Sequence, residues 1–155
     1  MTERRYKKGV AAPGDIPTDA ARAFGDRLQH IGGHKVWQGT TDHGMTAVLD
    51  HRGVRYPALR VAWVLHYGTA PVGQVRSSCD QDLCVAGTHL TDAALRQRDH
   101  LLLAHLLGVD MSGTCDAGHI RSVHGTVRGN RKVDCRPCDA ERRKAQRAQE
   151  KEMAA

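Results

Sequence analysis

Cysteine and histidine residues form two separate clusters along this 155-residue chain. The second cluster consists of Cys115 and His119, followed after a short segment by Cys135 and Cys138. Two close pairs of soft donors, brought together by a hairpin, form the tetrahedral arrangement that structural zinc prefers. The odd total of five cysteines is untypical of a closed disulfide framework, which favours metal binding over disulfides. The spacing therefore predicts a zinc ribbon over residues 115–138.

The first cluster supplies only three donors, which are Cys79, Cys84 and His89. A closed structural zinc site needs four ligands, so the fourth must come from another part of the chain. The alternative is that the two cysteines are buried structural residues and the histidine faces solvent. Spacing alone leaves four candidates for the fourth ligand open: His34, His43, His51 and His66.

Composition limits the class of protein and its partners. The formal net charge of +6 is typical of a nucleic-acid-binding protein, although many basic proteins bind no nucleic acid specifically. Aromatic residues make up 4% of the chain, so a thin core is expected to need metal ions for stability. No apolar run is long enough to cross a membrane, and no signal peptide is evident. We expect a cytoplasmic protein of a bacterial or phage-infected cell, without a membrane partner.

The pattern of the chain predicts three regions. Residues 1–16 are expected to be a basic flexible arm, residues 17–110 a zinc-bound core, and residues 111–155 a zinc ribbon with a basic C-terminal helix. The predicted elements are a helix from about residue 18 to 30, short strands over 36–56, helices over 58–67 and 92–107, a hairpin over 126–133, and a polar helix over 139–152.

Apolar periodicity assigns faces to two of these helices. In the first, Leu28 and Ile31 are expected to continue the apolar face that Phe24 begins. In the helix over 92–107, the leucines are expected to line the core; they are Leu95, Leu102 and Leu106.

The stretch from His34 to Arg98 resembles the phage-type HNH and His-Cys box homing endonucleases of the His-Me finger superfamily. The ribbon over 115–138 is similar to one that many phage HNH proteins append. The resemblance rests on the order and spacing of five segments, which are 34–39, 59–65, 68–73, 75–79 and 84–90.

The resemblance implies a fold and completes the first metal site. It implies an α+β fold in which a zinc-stabilised ββα core and a small antiparallel sheet precede the C-terminal zinc ribbon and helix. The upstream cysteine ligand of the family falls on His34, a change that retains a zinc donor. By resemblance, His34 is therefore the fourth ligand, and two structural zinc ions are expected.

Two departures from the family pattern affect catalysis. The position of the general base is occupied by Ser77, and that of the metal-binding asparagine by Arg98. A serine hydroxyl does not accept a proton near neutral pH, and an arginine repels a divalent cation. We therefore expect no cleavage, with Mg²⁺ needed only if nuclease activity is retained. The replacement bases that could retain it are His51, His66 and His100.

The expected function is DNA binding by a catalytically inactive, regulatory derivative of an HNH endonuclease. One rival is an active phage-type HNH homing endonuclease with a relocated base. A second rival is a zinc module that binds a host transcription or replication protein. A further alternative is that Ser77 and Arg98 arose by neutral drift and have no selected role. The expected DNA contacts are Arg52, Arg55, Arg60, Arg76 and Arg98.

Overall fold

A computed structural model describes residues 7–9 and 12–153 of the chain. The protein divides into two compact units, residues 1–94 (unit 1) and 95–155 (unit 2), whereas the sequence suggested a boundary after residue 110. Unit 1 contains β1 (Lys7–Lys8), α1 (Thr18–Gly25), β2 (Leu28–Ile31), β3 (His34–Trp37), β4 (Thr41–Asp42), β5 (Thr46–His51), β6 (Val54–Pro57), α2 (Ala58–Tyr67), β7 (Arg76–Ser77) and β8 (Leu90–Thr91). The next helix, α3 (Ala93–Leu106), begins at the end of unit 1 and lies mostly in unit 2. Unit 2 continues with α4 (Arg121–His124), β9 (Gly125–Val127), β10 (Val133–Cys135) and α5 (Arg136–Met153). This is a mixed α+β architecture.

The largest sheet of unit 1 has four strands in the order β1-β6-β5-β4. β4, β5 and β6 pair antiparallel, and β1 joins the edge of β6 in parallel. The turn between β5 and β6 contains Arg52 and Gly53, which have φ angles of 47° and 77°. Glycine adopts this left-handed conformation without strain, so Gly53 allows a tight turn between the two strands.

The core of unit 1 lies between this sheet and α2. Leu49 of β5 and Val61 of α2 are fully buried, and Trp63 is almost so. Phe24 of α1 stacks on Trp37 with ring centroids 5.2 Å apart. The bounds of α2 agree with the predicted helix, so local pattern was sufficient here.

The prediction of a helix running to residue 30 is wrong in its second half. α1 ends at Gly25, and Leu28–Ile31 forms β2, which pairs antiparallel with β3. The pairing of Ile31 with His34 leaves Gly32-Gly33 as a two-residue turn, the connection that favours a hairpin. Cross-strand pairing with β3 therefore overrides the helical spacing of the apolar residues.

The prediction of a flexible basic arm over residues 1–16 is wrong for the part that the structure describes as strand. Lys7 and Lys8 pair with Val54 and Arg55 of β6, and the amide of Gly9 donates to the carbonyl of Arg55 at 2.7 Å. The paired backbone fixes this segment to the sheet edge. The basic residues 4 and 5 of the same prediction lie outside the described residues.

The core of unit 2 is small, and the prediction for the α3 leucines is wrong in part. Leu102 and Leu106 are 57% and 73% exposed, and Ala104 is the buried residue of the helix. In the described part of unit 2, Met111 is the one large apolar side chain that is buried. The predicted hairpin is present as β9 and β10, and α5 buries none of its described residues. None of the described helices is long and apolar enough to cross a membrane.

Candidate metal centres

The predicted donors come together in two groups of four, and each group could hold a metal ion. Within each group, the ligand atoms all lie within 4.8 Å of one another. Site 1, in unit 1, consists of His34, Cys79, Cys84 and His89. Site 2, in unit 2, consists of Cys115, His119, Cys135 and Cys138.

The β2–β3 hairpin and the segment around residue 84 position one half of site 1. The amide of Trp37 donates to the carbonyl of Leu83 at 3.0 Å, and that of Val85 to Lys35 at 2.7 Å. These bonds join the cysteine segment to β3 through a single β-bridge between Val36 and Cys84. The Sγ atom of Cys84 consequently lies 3.6 Å from Nδ1 of His34, at the start of β3.

The β7–β8 pair positions the other half of site 1. Ser77 pairs with Leu90, and the amide of Ser78 donates to the carbonyl of His89 at 2.8 Å. This register brings Ser78 and Cys79, which follow β7, beside His89, which precedes β8. Cys79 and His89 therefore enter the site from neighbouring backbone, and Nδ1 of His89 lies 3.5 Å from Sγ of Cys84.

A glycine is required next to His89. A Cβ atom at Gly87 would lie 2.2 Å from Cγ of His66, well inside van der Waals contact. Gly87 opens the 3₁₀ turn Gly87–His89 that leads into the ligand, so the ring of His66 packs directly on this backbone. His66 therefore supports the turn and does not join the site.

The two thiols of site 1 differ in acidity. Burial opposes ionisation of Cys79, but hydrogen bonds from Ser77 and the Gln81 backbone outweigh it and lower the pKa of Cys79 to about 6. Burial raises the pKa of the Cys84 thiol, and the neighbouring Cys79 adds to this effect. The crowded sulfurs therefore favour a thiolate at Cys79, which is the form that binds metal.

A knuckle and the first turn of α5 position the donors of site 2. The amide of Gly118 donates to the carbonyl of Cys115 at 2.8 Å, and Gly118 has a φ angle of 80°, so the chain turns sharply before His119. Cys135 is the last residue of β10, and Cys138 lies one turn into α5. Nδ1 of His119 lies 3.5 Å from Sγ of Cys115 and 3.4 Å from Sγ of Cys138.

The thiols of site 2 also compete for protons. Burial opposes ionisation of Cys115, but the backbone amides of His119 and Ala117 outweigh it and lower its pKa to about 6. A hydrogen bond with Cys135 is the main cause that raises the pKa of Cys138 to about 12. The Cys115 thiol therefore loses its proton more readily than the Cys138 thiol, and a central cation would favour the thiolate form of both.

Each of the five arginines predicted to contact DNA already has a partner within the protein. The side chains of Arg52 and Arg98 are 78% and 72% exposed, so their ion pairs are open to solvent. The contacts join Arg52 to Asp19 at 2.6 Å, Arg55 to Asp50 at 2.8 and 3.1 Å, Arg60 to the carbonyl of Gly73 at 2.9 Å, Arg76 to the side chain of Gln74 at 3.0 Å, and Arg98 to Asp99 at 3.1 Å.

The position predicted for the missing general base lies beside site 1. Ser77 is half-buried in β7, and its Oγ atom lies 3.2 Å from Sγ of Cys79. Of the histidines considered as replacement bases, His51 lies 3.1 Å from Asp19, and Nε2 of His100 accepts from the amide of Val127 at 3.3 Å. The ring of His100 therefore accepts a hydrogen bond, and the ring of His51 lies beside a carboxylate.

The fold and the two groups define a class, which is an α+β protein with two Cys/His sites that could hold metal. Comparison of the chain with protein-family models, curated protein sequences and solved structures finds no match.

Proposed function

We propose that the protein is a DNA-binding protein whose two units are each held by one structural zinc ion, and that it does not cleave DNA. Its main support is the pair of Cys/His groups. A tetrahedron with Zn–S and Zn–N bonds of about 2.3 and 2.05 Å has edges of about 3.8 Å between sulfurs and about 3.5 Å between sulfur and nitrogen. The separation of Cys115 and Cys138 is 3.7 Å, and the sulfur–nitrogen separations are 3.4 to 3.6 Å.

The donor chemistry fits zinc better than a hard cation. Site 1 offers two thiols and two imidazoles, and site 2 offers three thiols and one imidazole. Sulfur and imidazole donors suit zinc, whereas Mg²⁺ and Ca²⁺ require oxygen ligands. Four protein ligands leave no open position, so each ion would have a structural and not a catalytic role.

The absence of cleavage follows from the chemistry of Ser77. In the HNH family that the chain resembles, this position holds the histidine that takes a proton from the attacking water. The hydroxyl of Ser77 lies against a metal-site thiol and has no basic lone pair to offer near neutral pH. A general base typically contributes about 10²–10⁴-fold to the rate, so hydrolysis should be very weak.

DNA binding is supported by the charge of the chain and by the nuclease-like order of its elements. The net charge is +6, and β7, β8 and α3 follow one another along the chain as strand, strand and helix. On this proposal the protein retains the fold of a nuclease but lacks the general base. It therefore still binds the DNA backbone, and its role is regulatory.

Purified protein tests the proposal in one set of measurements. Elemental analysis should find two zinc ions per chain, duplex DNA should bind in a salt-dependent way, and supercoiled plasmid with Mg²⁺ should remain intact. A metal content of one or none would overturn the two-zinc arrangement. Efficient Mg²⁺-dependent nicking by the unmodified protein would instead favour the homing endonuclease.

A protein partner is a second candidate, favoured by the exposed leucines of α3. Leu102, Leu103 and Leu106 are 57%, 50% and 73% exposed and occupy neighbouring positions of the helix. Apolar side chains grouped in this way are typical of protein contacts. This candidate, in which a host transcription or replication protein is bound, predicts weak DNA binding and a stable protein complex that Leu102→Ser with Leu106→Ser abolishes.

A further inference from the structure

One side of α5 carries a row of cations. Arg143, Lys144, Arg147 and Lys151 follow one another at intervals of one, three and four residues, which places them on the same side of a helix. With Ala140 and Ala148 they line one continuous surface depression, which we call the basic face of α5. With a rise of 1.5 Å per residue, the cations cover about 12 Å of the helix axis.

Most of these cations have no partner among the residues that the structure describes. Among the residues that the structure describes, Lys144, Arg147 and Lys151 form no ion pair or hydrogen bond, while Arg143 pairs with Asp139 at 2.7 Å. The nearby carboxylate of Glu150 accepts from Gln146 at 3.0 Å. This contrasts with the five arginines predicted as DNA contacts, all of which have partners.

A second depression extends the basic face towards the β9–β10 hairpin. It shares Ala140 and Arg143 with the first and adds Arg128 and Arg136. Arg136 reaches the carbonyl of Val123, and Arg128 pairs with Asp134. The carboxylates of Asp134 and Asp139 also line this depression, so cations and carboxylates alternate between the free part of α5 and the elements that hold site 2.

The shape of α5 suits a groove. Every residue from 140 to 153 is exposed, so this part of the helix has no face packed on the described protein. The major groove of duplex DNA is about 12 Å wide and admits an α-helix, with phosphates along both edges. A membrane surface fits poorly, because an interfacial helix needs a large apolar face and Met153 is the only large apolar side chain after Cys138.

We infer that the basic face of α5 is the main phosphate-contacting surface of the protein on duplex DNA. The inference rests on the proposed DNA binding and assigns it to unit 2. Lys144, Arg147 and Lys151 would each neutralise one phosphate, since they form no ion pair within the described part of the chain that would have to break. Such contacts set affinity and salt dependence but carry no base information.

Neutral variants of one helix test the inference. Each phosphate contact contributes about 0.9 to the slope of log K against log salt concentration, so Lys144→Gln with Arg147→Gln and Lys151→Gln should lower that slope by about 2.7. Arg147→Gln alone should lower it by about 0.9. The matched control is Arg142→Gln on the same helix, because Arg142 already pairs with Asp139 and its removal should leave the slope nearly unchanged.

Two further measurements keep the outcomes separate. Zinc content and helical circular dichroism should be the same for all variants, since glutamine retains a high helix propensity. A wild-type protein that binds no duplex DNA would overturn the proposed function itself. A wild-type protein that binds DNA, with a triple variant of unchanged slope, would overturn only this inference. A triple variant that instead loses an acidic protein partner would also overturn it.

Discussion

Unit 1 and unit 2 hold metal-site residues of similar chemistry in very different surroundings. Unit 1, which holds site 1, contains buried large side chains such as Trp37, Leu49 and Leu90, so it has an apolar core of its own. In the described part of unit 2, the buried apolar side chains are Ala104 and Met111. A metal ion at site 1 would therefore add to an existing core, whereas one at site 2 would substitute for a core.

Removal of metal should give the largest effect and the clearest test of this comparison. Structural zinc contributes about 10–16 kcal/mol of apparent binding free energy in small modules, so a chelator should unfold unit 2. Unit 1 should keep its core, and both tryptophans of the chain, Trp37 and Trp63, lie there. We expect loss of helical circular dichroism with partial retention of the blue-shifted tryptophan emission. Simultaneous loss of both signals would contradict the comparison.

Loss of a single ligand should separate the two sites. Cys135→Ser should lower the zinc content from two ions to one and abolish the fold of unit 2. His34→Ala should weaken zinc binding at site 1, while unit 1 remains folded. Loss of a residue that only hydrogen-bonds to a ligand typically lowers metal affinity by roughly 10–100-fold, so loss of the ligand itself should lower it by more. Elemental analysis and thermal unfolding measure both effects.

The conservative variant His34→Cys is the control for the ligand experiment. It retains a zinc donor, so zinc content should stay at two ions per chain. If His34→Ala also retains two tightly bound ions, His34 is not a ligand and site 1 is a three-donor site.

Restoration of the catalytic groups should have a smaller effect. On the proposed HNH resemblance, Ser77→His with Arg98→Asn restores the residues expected at these two positions, and weak Mg²⁺-dependent nicking of plasmid DNA should follow. The rate of hydrolysis should rise by no more than about 10²–10⁴-fold, the contribution of a general base, because the rest of the site has not been selected for hydrolysis. Each single variant is a control, and nicking by Arg98→Asn alone would indicate another base in the chain.

The smallest effect is expected from Arg55→Ala in unit 1. Arg55 makes two bonds to Asp50 across β5 and β6, and both side chains are partly shielded from solvent. Its removal should lower the free energy of unfolding by about 1 kcal/mol, measured by urea titration of tryptophan emission, and leave DNA affinity nearly unchanged. A changed base preference with unchanged stability would contradict this prediction and show that the strand reads bases, a role separate from the phosphate contacts proposed for α5.

Local pattern predicted the elements whose structure depends on near neighbours. Helix α2, the β9–β10 hairpin and the donors of site 2 belong to this group, because a turn or a short segment fixes each of them. The resemblance to the HNH family, and not the spacing, selected His34 among four histidines. The structure brings His34 into site 1 through strand pairing between β3 and the segment around Cys84, a contact that no local pattern contains.

Two helical predictions failed for related reasons. The apolar spacing of Leu28 and Ile31 fitted a helix, but the glycine pair that follows them allows a hairpin with β3. The leucines of α3 fitted a buried face, yet Ala104 is the side chain that the fold buries. Apolar periodicity reveals which residues could be buried, but which surface covers them depends on distant parts of the chain.

The separation of the metal ligands along the chain also sets an order of assembly. In site 1, His34 and Cys84 are 50 residues apart, whereas Cys115 and Cys138 in site 2 are 23 residues apart. Closing the longer loop costs only about 0.6 kcal/mol more per doubling of length, but contacts between distant residues form more slowly. During refolding from denaturant with zinc present, site 2 should therefore fill first. Site 1 should fill only after the strands of unit 1 have paired.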